Sequence, residues 1–332
     1  MTAARAAAPA AALFKATAAL AAACLVSGCA LLADPPQATA LLQRAPAGLP
    51  QQAERREVPF FPQTRYHCGP AALATALVDV GIATDPEQLA DAVFLPAREG
   101  SLQIEMLGAT RRQGAVATKL PGELPALLQE VAAGHAVVVL QNLGLDFAPR
   151  WHYAVLVGYD LAAREVILRS GVTERERLPL RTFEFTWARG GHWAFAALPP
   201  GRLPATAREA DAVEAAIGFE RSASPAQAAA AYRALLQRWP GNLLAGIGLG
   251  NTLVAAGDLS AAAAAFDAVA QRHDSAVAWN NLARIRLSLG DAAGARAAAQ
   301  RAVQRAETAE PAFLAAARAT LALASPNEGK SP

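Results

Sequence analysis

Cysteine is nearly absent, with three in 332 residues, which is too few for a disulfide framework. Charge is sparse as well. Charged residues make up 17% of the chain and the formal net charge is +2. Because the segment before Cys29 holds Arg5 and Lys15 and no acid, the rest is close to neutral, and the basic face a nucleic-acid partner needs is missing. The chain has no Gly-x4-Gly-Lys-Ser/Thr loop, and its histidines and cysteines show no paired ligand spacing, so neither ATP, a metal nor any other cofactor is expected. Beyond the N-terminal segment, no apolar run reaches the length of a bilayer span.

What the N-terminus does contain is a secretory signal. Arg5 and Lys15 form a basic region, Ala16 to Leu25 an apolar stretch, and Val26-Ser27-Gly28-Cys29 follows with small residues suited to cleavage. Val-Ser-Gly-Cys resembles the bacterial lipobox, in which the cysteine is acylated and becomes the first residue. On that reading residues 1–28 are removed, Cys24 goes with them, and Cys29 anchors the protein to a membrane through its acyl chains, each buried methylene contributing about 0.8 kcal/mol. Ala30 follows Cys29 instead of Asp, which resembles lipoproteins sorted to the outer membrane. The expected location is therefore the periplasmic face of a bacterial membrane.

Three regions follow. Residues 29–57, rich in Ala, Pro, Gln and Leu, read as a tether. Residues 58–200 begin helical, with predicted helices over 68–80, 85–93, 102–113 and 124–133. They then turn to short β-branched or aliphatic runs at 136–141, 152–159, 165–169 and 193–198, predicting an antiparallel sheet and an α+β fold. Residues 206–324 are nearly all helix. Gly257-Asp258 recurs as Gly290-Asp291, Tyr232 aligns with Phe266 and Ala299, and Gly246 aligns with Trp279. That period of about 33 to 34 residues is similar to tetratricopeptide repeats, which bind protein partners. Gly246 and Ala299 stand where larger aromatic residues are expected, so local packing should be weaker. Residues 325–332 read as a disordered tail.

With Cys24 and Cys29 assigned to the signal, Cys68 is the one thiol left in the body of the protein. Gly69-Pro70 follows it, and proline in a helix's first turn loses no hydrogen bond, so Cys68 is placed at a helix N-terminus. There the free amides and helix dipole favour thiolate and predict a lowered thiol pKa. The same amides can hold an oxyanion, and the side chain of Gln63, five residues upstream, can add a donor. Of the five histidines, His152 opens an apolar strand after a loop and is the best acid/base partner, with His192 as the runner-up. His67 is too close in sequence to aim at the thiol, His135 reads as a helix-end cap, and His273 as a surface residue of the repeats.

Gln63-x4-Cys68-Gly69-Pro70-Ala71, followed by His152-Tyr153-Ala154-Val155-Leu156-Val157-Gly158-Tyr159-Asp160, resembles the papain-like peptidases that process double-glycine leaders of bacteriocins, over about residues 58–200. The resemblance implies Cys68 as nucleophile, His152 as base and Gln63 as oxyanion donor. It also implies an Asp-Pro after the next strand to orient the histidine, where this chain reads Ile167-Leu168-Arg169-Ser170-Gly171. Ser170 takes that place by position, with Asp160 as the alternative. Two functions follow: a lipid-anchored cysteine peptidase acting on a peptide or protein, its repeats recruiting a protein partner, or a non-catalytic peptide-binding scaffold that keeps the groove of a peptidase fold.

Overall fold

A computed structural model describes residues 35–62, 68–98 and 100–325. The signal segment 1–28, Cys29, Gln63, His67 and residues 326–332 lie outside the described residues. The first half contains helices α1 (Pro36–Gln43), α2 (Cys68–Asp79), α3 (Pro86–Val93), α4 (Gln103–Arg112) and α5 (Leu124–Ala132), with strands β1 (Gln52–Glu54), β2 (Val116–Lys119) and β3 (Val137–Asn142). It continues through β4 (Trp151–Asp160), β5 (Glu165–Ser170), β6 (Thr173–Pro179), α6 (Leu180–Arg189) and β7 (Ala194–Leu198). The sheet is antiparallel in the order β2-β7-β3-β4-β5-β6, and β1 pairs with the far end of β4. This is the α+β architecture expected from the sequence.

β4 is central because both of its faces are buried. Tyr153, Val155 and Val157 share one core with α2, while Ala154 and Leu156 join α5 and α6 in the other. α2 is buried on every side from Gly69 to Leu77, as a helix with no polar face must be. Leu73 and Leu77 are wholly buried, each contributing about 1.5–3 kcal/mol. Gly81, at φ +85°, turns the chain after that helix.

Residues 35–57 differ from the expected tether. Leu41 and Leu49 are buried in the sheet's core, and the backbone N–H groups of Gln37 and Ala38 donate to the buried Glu184 carboxylate on α6. β1 pairs Ala53 with Tyr159. α1 and β1 therefore belong to the domain. The composition of this stretch concealed two buried leucines and a three-residue strand too short to show a period.

The second half packs α7 (Glu209–Glu220), α8 (Pro225–Arg238), α9 (Leu243–Ala255), α10 (Leu259–His273), α11 (Ala276–Ser288), α12 (Ala292–Thr308) and α13 (Leu314–Ala324). Gly257 and Gly290 both adopt φ +80°, and the Asp258 and Asp291 side chains cap the helices that follow. The weakness expected at Gly246 is offset: a Cβ there would meet Val269 at 2.2 Å, and one at Gly250 would meet Phe266 at 2.5 Å. The glycines of α9 thus let its neighbours approach closely.

The halves are joined by packing. Val116 of β2 shares a core with α7 and α8, and Lys119 Nζ lies 2.9 Å from Glu214. Fully buried Glu130 on α5 accepts from the backbone N–H groups of Ala205 and Thr206 and from the Thr206 hydroxyl. It also lies 2.6 Å from His135 Nδ1, so His135 has a buried partner beyond the helix-end role expected of it. On the other side of the linker, Arg238 of α8 donates to the carbonyls of Pro204 and Ala205.

Candidate active site

Cys68 is the first residue of α2. Gly69 follows because Ser101 lies against it: a Cβ at residue 69 would come within 2.2 Å of the Ser101 hydroxyl. The Cys68 thiol is half-buried and rests against the backbone N–H of Tyr153, with further N–H contributions from Gly69 and Cys68 itself. The Tyr153 hydroxyl donates to the Ser101 carbonyl at 3.2 Å. Burial first and the Cys68 charge second oppose ionisation of that phenol, which ties the ring to the thiol. The nucleophile candidate thus sits against the residue next to His152 in β4.

His152 is half-buried at the start of β4. Its Nε2 lies 2.9 Å from the Ser170 hydroxyl at the end of β5. That bond occupies one of the two ring nitrogens. Ser170 is itself buried. Asp160 stands at the other end of β4, where its carboxylate accepts from the Ala163 N–H and closes the β4–β5 turn, so it does not orient His152.

The electrostatics differ from the helix-end expectation. Burial pushes the Cys68 thiol above its ordinary value, and the three N–H groups offset this only in part. Burial also holds His152 below the ordinary histidine range, with Glu176 pulling it up and Arg150 pulling it down. Both groups therefore rest uncharged near neutrality. Desolvation outweighs the helix dipole here because the first turn of α2 is enclosed.

The remaining histidines lie elsewhere. His192, at φ +52° before β7, packs edge-on against Trp187 at 4.7 Å between centroids. His273 ends α10 among the repeats. Sequence reasoning overlooked Arg169. Its buried guanidinium donates to the carbonyls of Val58, Arg56 and Glu174, fixing the segment that runs toward Gln63. An arginine directly after Val166-Ile167-Leu168 in the same strand was the available signal, since a buried charge needs dedicated partners. Among the described residues, no cluster of His, Cys, Asp or Glu could hold a metal ion, and no helix is long and apolar enough to cross a membrane.

An α+β domain that sets a helix-end cysteine against a histidine-bearing strand has the framework of a cysteine peptidase. Residues 55–194 match the Peptidase_C39 like family, and residues 213–275 and 247–310 match the tetratricopeptide repeat. The chain carries a C39-like peptidase domain followed by tetratricopeptide repeats. No curated protein matches it. Among solved structures, a C39-like peptidase from Bacillus anthracis is 20% identical, covering 44% of this chain and 97% of its own, with a TM-score of 0.38. A double glycine motif protease from an AMS/PCAT transporter, in complex with the leader peptide, is 19% identical, covering 44% and 94%, with a TM-score of 0.34. The Yersinia enterocolitica type III secretion chaperone SycD, in complex with a peptide of the translocator YopD, is 18% identical, covering 34% and 88%, with a TM-score of 0.32.

Proposed function

We propose that the protein is a cysteine peptidase, anchored by a lipid on Cys29 at the periplasmic face of a bacterial outer membrane, whose repeats recruit a protein partner or substrate. The observation that carries the catalytic reading is the placement of the Cys68 thiol against Tyr153, beside His152 with its Nε2 held by Ser170. His152 takes the thiol proton as Sγ attacks the scissile carbonyl, so the ion pair forms during attack and not at rest. The oxyanion is held by the Cys68 backbone N–H and the Gln63 side chain. His152 then protonates the leaving amine, and water hydrolyses the Cys68 thioester with the same imidazole as base. Ser170 positions the ring without adding charge, and Glu176 supplies the nearby negative charge.

Substituting Cys68→Ala and His152→Ala should each abolish turnover of a protein or peptide substrate with little change in Tm. Turnover retained in either variant removes that residue from the mechanism.

One observation favours a second reading. A thiol pushed up by burial and a histidine with no carboxylate bonded to it suit a peptide-binding scaffold as well as an enzyme. Peptide binding that survives Cys68→Ala, with no cleavage by the wild type, would select this reading.

A further inference from the structure

The repeats meet the peptidase domain at a cavity of about 740 Å³. One wall is the end of α4, carrying Arg111; the other is α7 and the start of α9, with Val213, Ile217, Arg221 and Leu244. The Arg111 guanidinium lies against Gly218, where a Cβ would come within 2.5 Å of Cζ. Glycine there lets the guanidinium rest directly on the helix backbone. Arg111 Nε is buried and has no hydrogen-bond partner among the described residues. Arg221 faces it with like charge, and burial and Arg221 both disfavour the Arg111 cation while Glu214 favours it.

The nearby acids are already engaged. Glu214 pairs with Lys119 at 2.9 Å, and Glu209 accepts from Asn242 at 2.8 Å. Two arginines therefore line one cavity without a hydrogen-bonded anion among the described residues, and the buried Nε of Arg111 is left without a partner. A buried unsatisfied donor is costly and fork-shaped guanidinium groups match carboxylates. Beside them, Ile217 and Leu244 are partly exposed, Leu244 by 56%. A carboxylate with an apolar side chain on the same carbon is what the end of a polypeptide offers; an Asp or Glu side chain carries no apolar branch beside its carboxylate.

We propose that this cavity binds the C-terminal carboxylate of a polypeptide ending in an aliphatic residue, held by Arg111 and Arg221 with its side chain on Ile217 and Leu244. The site is made by both halves of the chain and exists only where they meet. α4 leads from it to the candidate active site: its N-terminal end follows Ser101, which packs on Gly69, and its 10 residues span about 15 Å at 1.5 Å per residue. A polypeptide caught at Arg111 is thereby one helix length from the thiol.

The test uses the detergent-solubilised full chain with Cys68→Ala, so that binding is read independently of cleavage and its failure leaves the peptidase reading untouched. Two pools of randomised hexapeptides, one ending in a free carboxylate and one in an amide, are passed over the immobilised protein, and retained peptides are identified by mass spectrometry. Preference for the acid pool by about tenfold or more, enriched in a terminal Leu, Ile or Val, is expected from charge-assisted hydrogen bonds. Arg111→Met and the exposed Arg221→Met should each erase that preference, with Tm measured alongside; Arg221→Met keeps the test valid if Arg111→Met fails to fold. Equal retention of the two pools, including none, overturns the proposal, as does a preference unchanged in Arg221→Met. Amide peptides with internal Asp or Glu held as well as the free acids would place an acidic side chain in the cavity and overturn it too.

Discussion

His152 Nε2 lies 2.9 Å from the Ser170 hydroxyl, so the imidazole is oriented by a neutral partner where the family resemblance leads one to look for an aspartate. A hydroxyl, which can donate or accept, holds the ring in place with either tautomer but adds no charge to stabilise an imidazolium.

Ser170→Ala should lower kcat by about tenfold, the value of one neutral hydrogen bond of about 1–1.5 kcal/mol, with KM nearly unchanged. Ser170→Asp should raise the His152 pKa. Proton NMR of the imidazole and steady-state kinetics check both; a kcat unchanged in Ser170→Ala removes the positioning role.

The pH profile follows from two directions. His152 must be neutral to accept the thiol proton, so activity is lost as pH falls through its pKa. Because burial lowers that pKa, activity should persist below the ordinary histidine value of about 6.5. Glu176 pulls His152 upward, so Glu176→Gln should move the acid limb of kcat/KM to still lower pH. A limb that stays in place, or moves up, contradicts this electrostatic assignment.

Glu130→Ala should uncouple the two halves. Burial opposes ionisation of Glu130, but hydrogen bonds from His135 and Thr206 prevail and hold its carboxyl below the usual range. Its stabilising contribution is therefore present above the unfolded carboxylate value and fades as pH falls through the folded one. The loss should be about 3–5 kcal/mol at neutral pH. Differential scanning calorimetry should show one transition becoming two; a single transition at unchanged Tm contradicts the role.

Gly250→Ala places a methyl within 2.5 Å of the Phe266 ring. Overpacking of this kind costs about 1–3 kcal/mol. Denaturant unfolding should show that loss in the repeats, and wild-type stability would mean that Phe266 moves freely.

Much of this was legible in the chain. Apolar runs of β-branched residues marked β3, β4, β5 and β7, and Gly69-Pro70 set the start of α2. Other parts were concealed, among them β2 (Val116–Lys119) and α6 (Leu180–Arg189), which the sequence pattern left unassigned. β6 reads Thr173-Glu174-Arg175-Glu176-Arg177, an edge strand exposed over most of its length, and so carries no apolar period. α1 and β1 sit in a stretch whose composition resembles a linker. The sign of the thiol's pKa shift depends on how deeply the helix end is enclosed, a tertiary quantity that no local motif encodes.

The most direct measurement compares the new peptide N-termini generated in a mixed, denatured protein pool by the wild type, Cys68→Ala and His152→Ala. A set of cleavage sites present with the wild type and missing with both variants is the expected result. Identical N-termini in all three samples would contradict a Cys68–His152 peptidase.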